Sequence, residues 1–348
     1  GGGGYVAEGP LAKPGANCEG EGYAFIPREN RRLRPMTKHI PHDGLDGLPR
    51  YLAIFVISLG TILTALDGSI VNIALPTIMR EFNTSAASSV LIVNAYQIAM
   101  LVSMLPLAAL GARVGYRRIF IGGLIVFVAA SLACALSRSL PMLVISRGLQ
   151  GLGASGVVCV LHAIVRSVYP ARLLGRGMGI NSMFVASSST VGPSVAAAIL
   201  SVAPWPYLFA INLPLGIVAI AVAWKVLPWN EPAKEKFDAK AAAMTALTIG
   251  FFVLAIDSFS HGGDPLICGI EFLIAAMIAP VLVRNQRDHP APLLPFDTFK
   301  NRIIPLSLIA DQCAFIAQLL TFVTLPFVLH NAGFDQVDRK STRLNSSH

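Results

Sequence analysis

The 348-residue sequence predicts an all-α polytopic membrane protein, and three observations carry that prediction. Hydrophobic residues make up 54% of the chain before glycine is counted, charged residues only 13% where about 25% is usual, and the mean hydropathy is +0.63. The apolar residues gather into nine stretches of roughly the 20 residues a helix needs to cross the hydrocarbon, divided by polar or Gly/Pro breaks. Lys and Arg fall in short runs at alternate breaks. A soluble domain of this length needs more surface charge than this composition supplies, which excludes soluble enzymes, disordered scaffolds and coiled coils. The net charge of +8 is spread along the chain instead of clustering on one face, so it points to membrane topology and away from nucleic acid. Cys18, Cys134, Cys159, Cys268 and Cys313 show no CxxC or Cys/His spacing, so neither a metal site nor a disulfide framework is expected.

Residues 1–50 are polar, rich in Pro and Gly and lack an apolar h-region, so they read as a disordered segment and not a signal peptide. The first span, about 52–78, carries Asp67-Gly68-Ser69-Ile70-Val71-Asn72 before Pro76. A carboxylate near mid-membrane costs about 3 kcal/mol or more, so Asp67 should face the bundle interior or a water-filled cavity and have a partner. Its role is either functional or that of a structural hydrogen-bonding group. The second span, about 88–110, holds Asn94 and Gln97 three residues apart beside Tyr96, placed to line a cavity or to bond across helices. A tight basic turn follows, Gly111-Ala112-Arg113-Val114-Gly115-Tyr116-Arg117-Arg118, in which the glycines permit close backbone approach and the arginines suit helix-end carbonyls or anionic headgroups.

After a third span (about 119–137), the fourth (about 141–166) sets Arg147, Gln150 and Gly151 on one face at i, i+3 and i+4. An unpaired arginine does not belong there, and Asp67 is its partner by charge unless Arg147 reaches to the interface. The fifth span (about 178–202) repeats Ser188, Gly192 and Ala196 every four residues for close packing, while Pro193 frees a carbonyl. The sixth (about 207–227), seventh (about 240–259) and eighth (about 266–283) add few polar residues; Glu271 reads as structural or interfacial, and His261-Gly262-Gly263-Asp264 as a loop. The ninth (about 303–329) places Asp311, Phe315 and Gln318 along one face, offering a cationic ligand a carboxylate and an aromatic wall. From Asp338 the chain reads as a non-native tail.

Fourteen Lys and Arg residues lie in one set of connections, from Arg113 to Arg302, against Arg80 and Arg138 in the other. The positive-inside rule therefore puts the basic connections and the N-terminus in the cytoplasm.

Taken in order, these segments resemble the motifs of the major facilitator superfamily, most closely its fourteen-helix drug:proton antiporter branch. Asp67 to Pro76 is similar to that branch's first-helix signature and Gly111 to Arg118 to its loop between helices 2 and 3. Arg147 to Gly153 is similar to its fourth-helix motif, Gly192-Pro193 to its antiporter motif, and Phe209 to Gly216 to the start of its sixth helix. Ala112 stands where the family's loop usually has an Asp, and Ala196-Ala197 where paired glycines are usual.

The resemblance implies a major facilitator-type bundle with about nine of fourteen helices present: an N-terminal six-helix bundle over 51–228, two linking helices over 229–290, and the start of a C-terminal bundle over 291–337, followed by the tail at 338–348. It implies a multi-pass protein of the cytoplasmic (inner) membrane, not an enzyme, exporting amphipathic drugs or organic cations against protons by alternating access. A narrow-specificity metabolite or siderophore exporter shares every motif, and an inactive C-terminally truncated fragment is the other reading. Asp67 and Arg147 would couple to protons; Asn72, Asn94, Gln97, Gln150, Asp311, Phe315 and Gln318 would line the substrate cavity. Gly111, Arg113, Gly115, Arg117, Arg118, Gly151, Gly192 and Pro193 would serve packing and conformational change. The expected partners are a small-molecule substrate, protons and membrane lipids, with no cofactor and no nucleic acid; a periplasmic adaptor is left open.

The orientation is testable with single cysteines in an otherwise cysteine-free chain. A membrane-impermeant maleimide is expected to label Arg138→Cys in intact cells and to reach Arg172→Cys only after permeabilisation.

Overall fold

A computed structural model describes residues 44–45, 47–229, 237–260, 264–287 and 303–331, and the regular elements among them are helices. In chain order these are α1 (Leu48–Glu81), α2 (Ala86–Val114), α3 (Tyr116–Ala135), α4 (Leu140–Val158), α5 (Leu161–Val168), α6 (Leu174–Val202), α7 (Tyr207–Ala210), α8 (Asn212–Val226), α9 (Ala239–Ser260), α10 (Pro265–Arg287) and α11 (Ile303–Asn331). Eight helical spans among the described residues are long and apolar enough to cross a membrane, with α4–α5 and α7–α8 each counting as one, and α11 carries a further apolar stretch over Ile303–Ala317. The expected disordered segment before 44, the loop lysines Lys234 and Lys236, His261 to Gly263 and the tail at 338–348 lie outside the described residues.

Local chemistry sets the ends. Ser85 caps α2, its hydroxyl accepting from the Ser88 amide at 3.1 Å. The whole connection from α2 to α3 is Gly115, whose φ of 111° favours glycine; its amide donates to the Gly111 carbonyl at 3.0 Å. Two spans expected to be continuous are interrupted. The fourth breaks at Cys159–Val160, where Gly156 and the β-branched Val157, Val158 and Val160 make a poor helical run. The sixth breaks at Ile211, because Pro214 cannot donate to the Ala210 carbonyl and its ring would clash with it, so α7 ends there and α8 begins afresh.

Within the bundle α4 packs between α2 and α3, α1 lies against α6 and α8, and α3 also meets α8. The α9–α10 hairpin docks on α2 through α9. Close approach is bought by glycine: a Cβ on Gly151 would sit 2.2 Å from the Tyr96 carbonyl oxygen of α2, and one on Gly153 2.4 Å from the Phe127 amide nitrogen of α3. Apolar side chains form one cluster around Val56, Phe120, Leu124 and Val157, and another around Ile70, Ile78, Leu143 and Phe209. Between them lies a thinner cluster of Leu63, Tyr96, Phe127 and Ala154. Asp67 on α1 and Arg147 and Gln150 on α4 are buried beside this cluster, Arg147 lying over the Tyr96 ring.

Gly151→Ala is expected to destabilise the bundle by about 1–3 kcal/mol through overpacking against the α2 backbone. Gly148→Ala, whose Cβ meets nothing within 4 Å, should change stability by less than about 1 kcal/mol. Reversible unfolding in mixed micelles reads both.

Candidate functional site

The centre of the bundle holds a closed set of polar side chains from four helices. Asp67 on α1 is 2% exposed, Arg147 and Gln150 on α4 are 1% and 0%, Ser131 on α3 is 0% and Asn212 on α8 is 1%. Arg147 Nη1 donates to Asp67 Oδ2 in an ion pair and to Gln150 Oε1 at 2.7 Å. Gln150 Nε2 donates to Asp67 Oδ1 at 2.7 Å and to Ser131 Oγ at 2.8 Å. Asn212 Nδ2 donates to Asp67 Oδ1 at 2.9 Å. From α2, the Ile92 carbonyl accepts from Arg147 Nε at 3.3 Å.

Aromatic rings enclose the guanidinium. It lies 4.2 Å from the Tyr96 ring centroid and 5.7 Å from that of Phe209, favourable cation–π positions in a dry site. Tyr96 is fixed in turn by its hydroxyl, which donates to the Thr64 carbonyl at 3.1 Å. Two opposite charges taken out of water are costly unless their remaining hydrogen-bonding positions are filled. Here the carboxylate accepts from three side chains, and the guanidinium is held by a carboxylate, an amide oxygen, a carbonyl and a ring face. Trp205, 1% exposed, extends this assembly: its ring stacks edge-on with Phe209 at 6.1 Å, and its indole N–H donates to Glu81 at 2.5 Å.

Of the residues singled out from sequence, the structure brings Asp67, Arg147 and Gln150 together and seats Gly151 against the backbone at Tyr96. Arg147 does not reach to an interface; it is buried. Gly192 meets Ser69 of α1 so closely that a Cβ would lie 2.1 Å from the Ser69 hydroxyl, while Pro193, on the same helix α6, is exposed. Asn72 and Gln97 are exposed and stand apart from the network. Asn94 is engaged elsewhere, its Nδ2 donating to both carboxylate oxygens of Asp257 on α9 at 2.8 and 2.9 Å. Asp311 and Phe315 are exposed on α11, and the side chain of Gln318 lies outside the described residues.

At the α2–α3 turn, Gly111 leaves room for Val160 and Tyr116, and Arg113 Nη1 is buried without a hydrogen-bond partner. Arg117 donates to the Trp224 carbonyl at the end of α8 and stacks on Trp229 at 4.4 Å, with Arg118 on the same ring at 5.2 Å. Between α5 and α6, burial pushes the Tyr169 phenol above its ordinary value, with Arg176 and Arg50 pulling the other way.

Sequence reading missed Ser131 and Asn212 as members of the site, and gave Tyr96 no role of its own. Asn212 carried a signal, a neutral amide in an apolar run two residues before Pro214. Ser131 carried none.

Residues 57–342 match the Major Facilitator Superfamily, and the chain belongs to that family of transporters. It is 45% identical over 295 residues to the "Uncharacterized transporter YebQ" of Escherichia coli (strain K12), an alignment covering 83% of this chain and 65% of that protein. It is 33% identical to the "Multidrug efflux pump SdrM" of Staphylococcus aureus (strain N315), covering 80% of this chain and 60% of the pump. It is 29% identical to the "Riboflavin transporter RibZ" of Clostridioides difficile (strain 630), covering 80% and 61% respectively. The chain thus spans 60–65% of the length of these curated relatives.

Removing one partner of the buried pair leaves the other charged and uncompensated. Arg147→Gln, which leaves the Asp67 carboxylate buried and unpaired, is expected to destabilise the protein by about 3–5 kcal/mol. The double variant Asp67→Asn/Arg147→Gln should recover most of that loss, giving a double-mutant cycle with a large coupling energy in micelle unfolding.

Proposed function

We propose that the protein is a proton-coupled exporter of amphipathic, often cationic compounds, of the fourteen-helix drug:proton antiporter branch, working by alternating access across the cytoplasmic membrane with its N-terminus in the cytoplasm. The observation that carries this reading is the Asp67 carboxylate, buried at the middle of the bundle and paired to Arg147. Exchange of substrate for protons needs a titratable group inside the membrane whose protonation changes how helices are held together.

Asp67 meets that need. A proton on it neutralises the carboxylate and releases the attraction that ties α1 to α4. Arg147 then keeps the Gln150 oxygen, the Ile92 carbonyl and the Tyr96 ring, so the cation stays solvated by protein while α1 is freed from it. Loss of the proton restores the pair. The proton thereby sets how firmly α1 is bound within its bundle, which is the coupling that alternating access requires.

Substrate contacts fit the exposed polar positions better than the closed network. Asn72 and Gln97 on α1 and α2, with Asp311 and Phe315 on α11, supply amides, a carboxylate and an aromatic ring suited to a cationic amphiphile. Asn94 is spoken for by Asp257 and is assigned instead to holding the linking helices. The likeness to a multidrug efflux pump supports the broad-specificity reading. A narrow-specificity metabolite exporter is the second reading, supported by the likeness to a riboflavin transporter.

Ethidium efflux from energised cells expressing the gene tests the first reading. Asp67→Asn and a proton uncoupler are each expected to abolish it. Efflux that ignores both removes Asp67 from the coupling step, and absence of ethidium efflux together with export of riboflavin favours the second reading.

A further inference from the structure

We propose that Asn212 is the residue that follows the protonation state of Asp67: it donates through Nδ2 to the carboxylate and, with its amide turned over, accepts through Oδ1 from the acid. This rests on the reading above that Asp67 takes up a proton.

The evidence is an incomplete hydrogen-bonding inventory. Asn212 is 1% exposed, its Nδ2 lies 2.9 Å from Asp67 Oδ1 and 3.5 Å from Ser131 Oγ, and its Oδ1 is buried with no hydrogen-bond partner. Buried amide oxygens are ordinarily satisfied, so an orphaned acceptor beside a carboxylate calls for an explanation. A second arrangement of the same pair supplies it.

Ionised Asp67 only accepts, and every side chain on it donates. A proton bound at Oδ1 creates an O–H directed at Gln150 Nε2 and Asn212 Nδ2, donors facing a donor, and one amide must turn. Gln150 is held at both ends: its Oε1 accepts from Arg147 Nη1 and from the Cys134 thiol at 3.6 Å, and its Nε2 donates to Ser131 Oγ. Turning it would set an amide N–H against the guanidinium. Ser131 already donates to the Phe127 carbonyl at 2.8 Å. Asn212 alone can turn without breaking any bond except the one to be reversed and the long contact to Ser131. The chemistry is a single protonation: one O–H bond forms on Asp67, no other covalent bond changes, and the Asn212–Asp67 hydrogen bond reverses direction. The titratable groups facing Asp67 are Arg147 from α4, Tyr96 from α2 and Cys134 from α3. From α7 comes the Phe209 ring beside Arg147, and α6 meets α1 there with Gly192 against Ser69. A neutral amide is therefore the one partner of Asp67 that serves both of its states, and α8 stays bonded to α1 when the pair to α4 is released.

Acid-minus-alkaline infrared difference spectra of the purified protein in lipid test this, with Asp67→Asn identifying the carboxylic acid C=O band. In the parent that band should lie at a hydrogen-bonded frequency, and in Asn212→Leu it should shift upward, as for an acid whose O–H has no acceptor. Asn212→Ser, which keeps a group able to donate and accept, should restore the parent position; Asn212→Ala repeats the test should the leucine chain not fold. An Asp67 band that titrates but does not move in Asn212→Leu or Asn212→Ala overturns the role of Asn212 and leaves the proton-coupled reading standing. No band that Asp67→Asn removes overturns both.

Discussion

A charge inside the hydrocarbon must be matched, and in this protein the match is Asp67 with Arg147. Much of the bundle's packing follows from making that pair possible. The two residues lie on different helices, so α1 and α4 must present them at the same depth. An arginine side chain has to be accommodated without water, which requires α2 to supply a ring face and a carbonyl. To bring α2 that near, the α4 backbone must touch the α2 backbone, and only glycine at 151 allows it. The same holds for Gly153 against α3, which sets Ser131 within reach of Gln150. Small residues and buried charge are thus two sides of one constraint: the glycines give the proximity, and the pair makes proximity worth having in a medium where apolar contact alone drives little association.

The spans were legible in the sequence because each needs about twenty apolar residues, and the charge runs at alternate connections fix their number. The Asp67–Arg147 contact was legible by charge, since an arginine in an apolar span needs a partner and Asp67 is a carboxylate in another span; its alternative, an Arg147 reaching to the interface, is set aside by the burial of the side chain. The neutral half of the site was not. Ser131 bonds back to its own helix through the Phe127 carbonyl, as Ser103 does to Ala99 and Ser188 to Phe184, and neither of those joins the network. A serine's second contact depends on which helix lies opposite, and a single sequence does not encode that. The break at Ile211 was within reach, because Pro214 forbids a continuous helix through Ala210; hydropathy hid it, since both halves are equally apolar.

Asn94 illustrates how a polar residue can be assigned to the wrong surface. Its spacing from Gln97 suggests a shared face, yet three helical residues subtend nearly a full turn, and a small rotation sends one toward α9 and leaves the other exposed. Asp257 accounts for the rotation: each oxygen of a carboxylate on an apolar helix accepts from the Asn94 amide. The bond joins the α9–α10 hairpin to α2 and is directional, so it helps to fix the register of α9 on α2.

The contacts of α1 are not equivalent, and their differences order the events that the proposed mechanism needs. Against α4 the contact is an ion pair supplemented by the Gln150 amide, and its ionic part is lost when Asp67 is neutralised. Against α6 it is steric, Gly192 on Ser69, and is indifferent to protons. Against α8 it is a hydrogen bond from a neutral amide whose oxygen is unoccupied, and it persists with its direction reversed. A proton therefore loosens one side of α1 while the other two hold, so the expected response is a tilt of α1 away from α4 about its seam with α6 and α8. That motion would be largest toward the ends of α1, where Trp205 bonds Glu81 at one and the Leu45 amide donates to Val168 at the other. Both of these anchors lie outside the polar layer, and both would have to yield or bend for a proton at Asp67 to be felt at the two faces of the membrane.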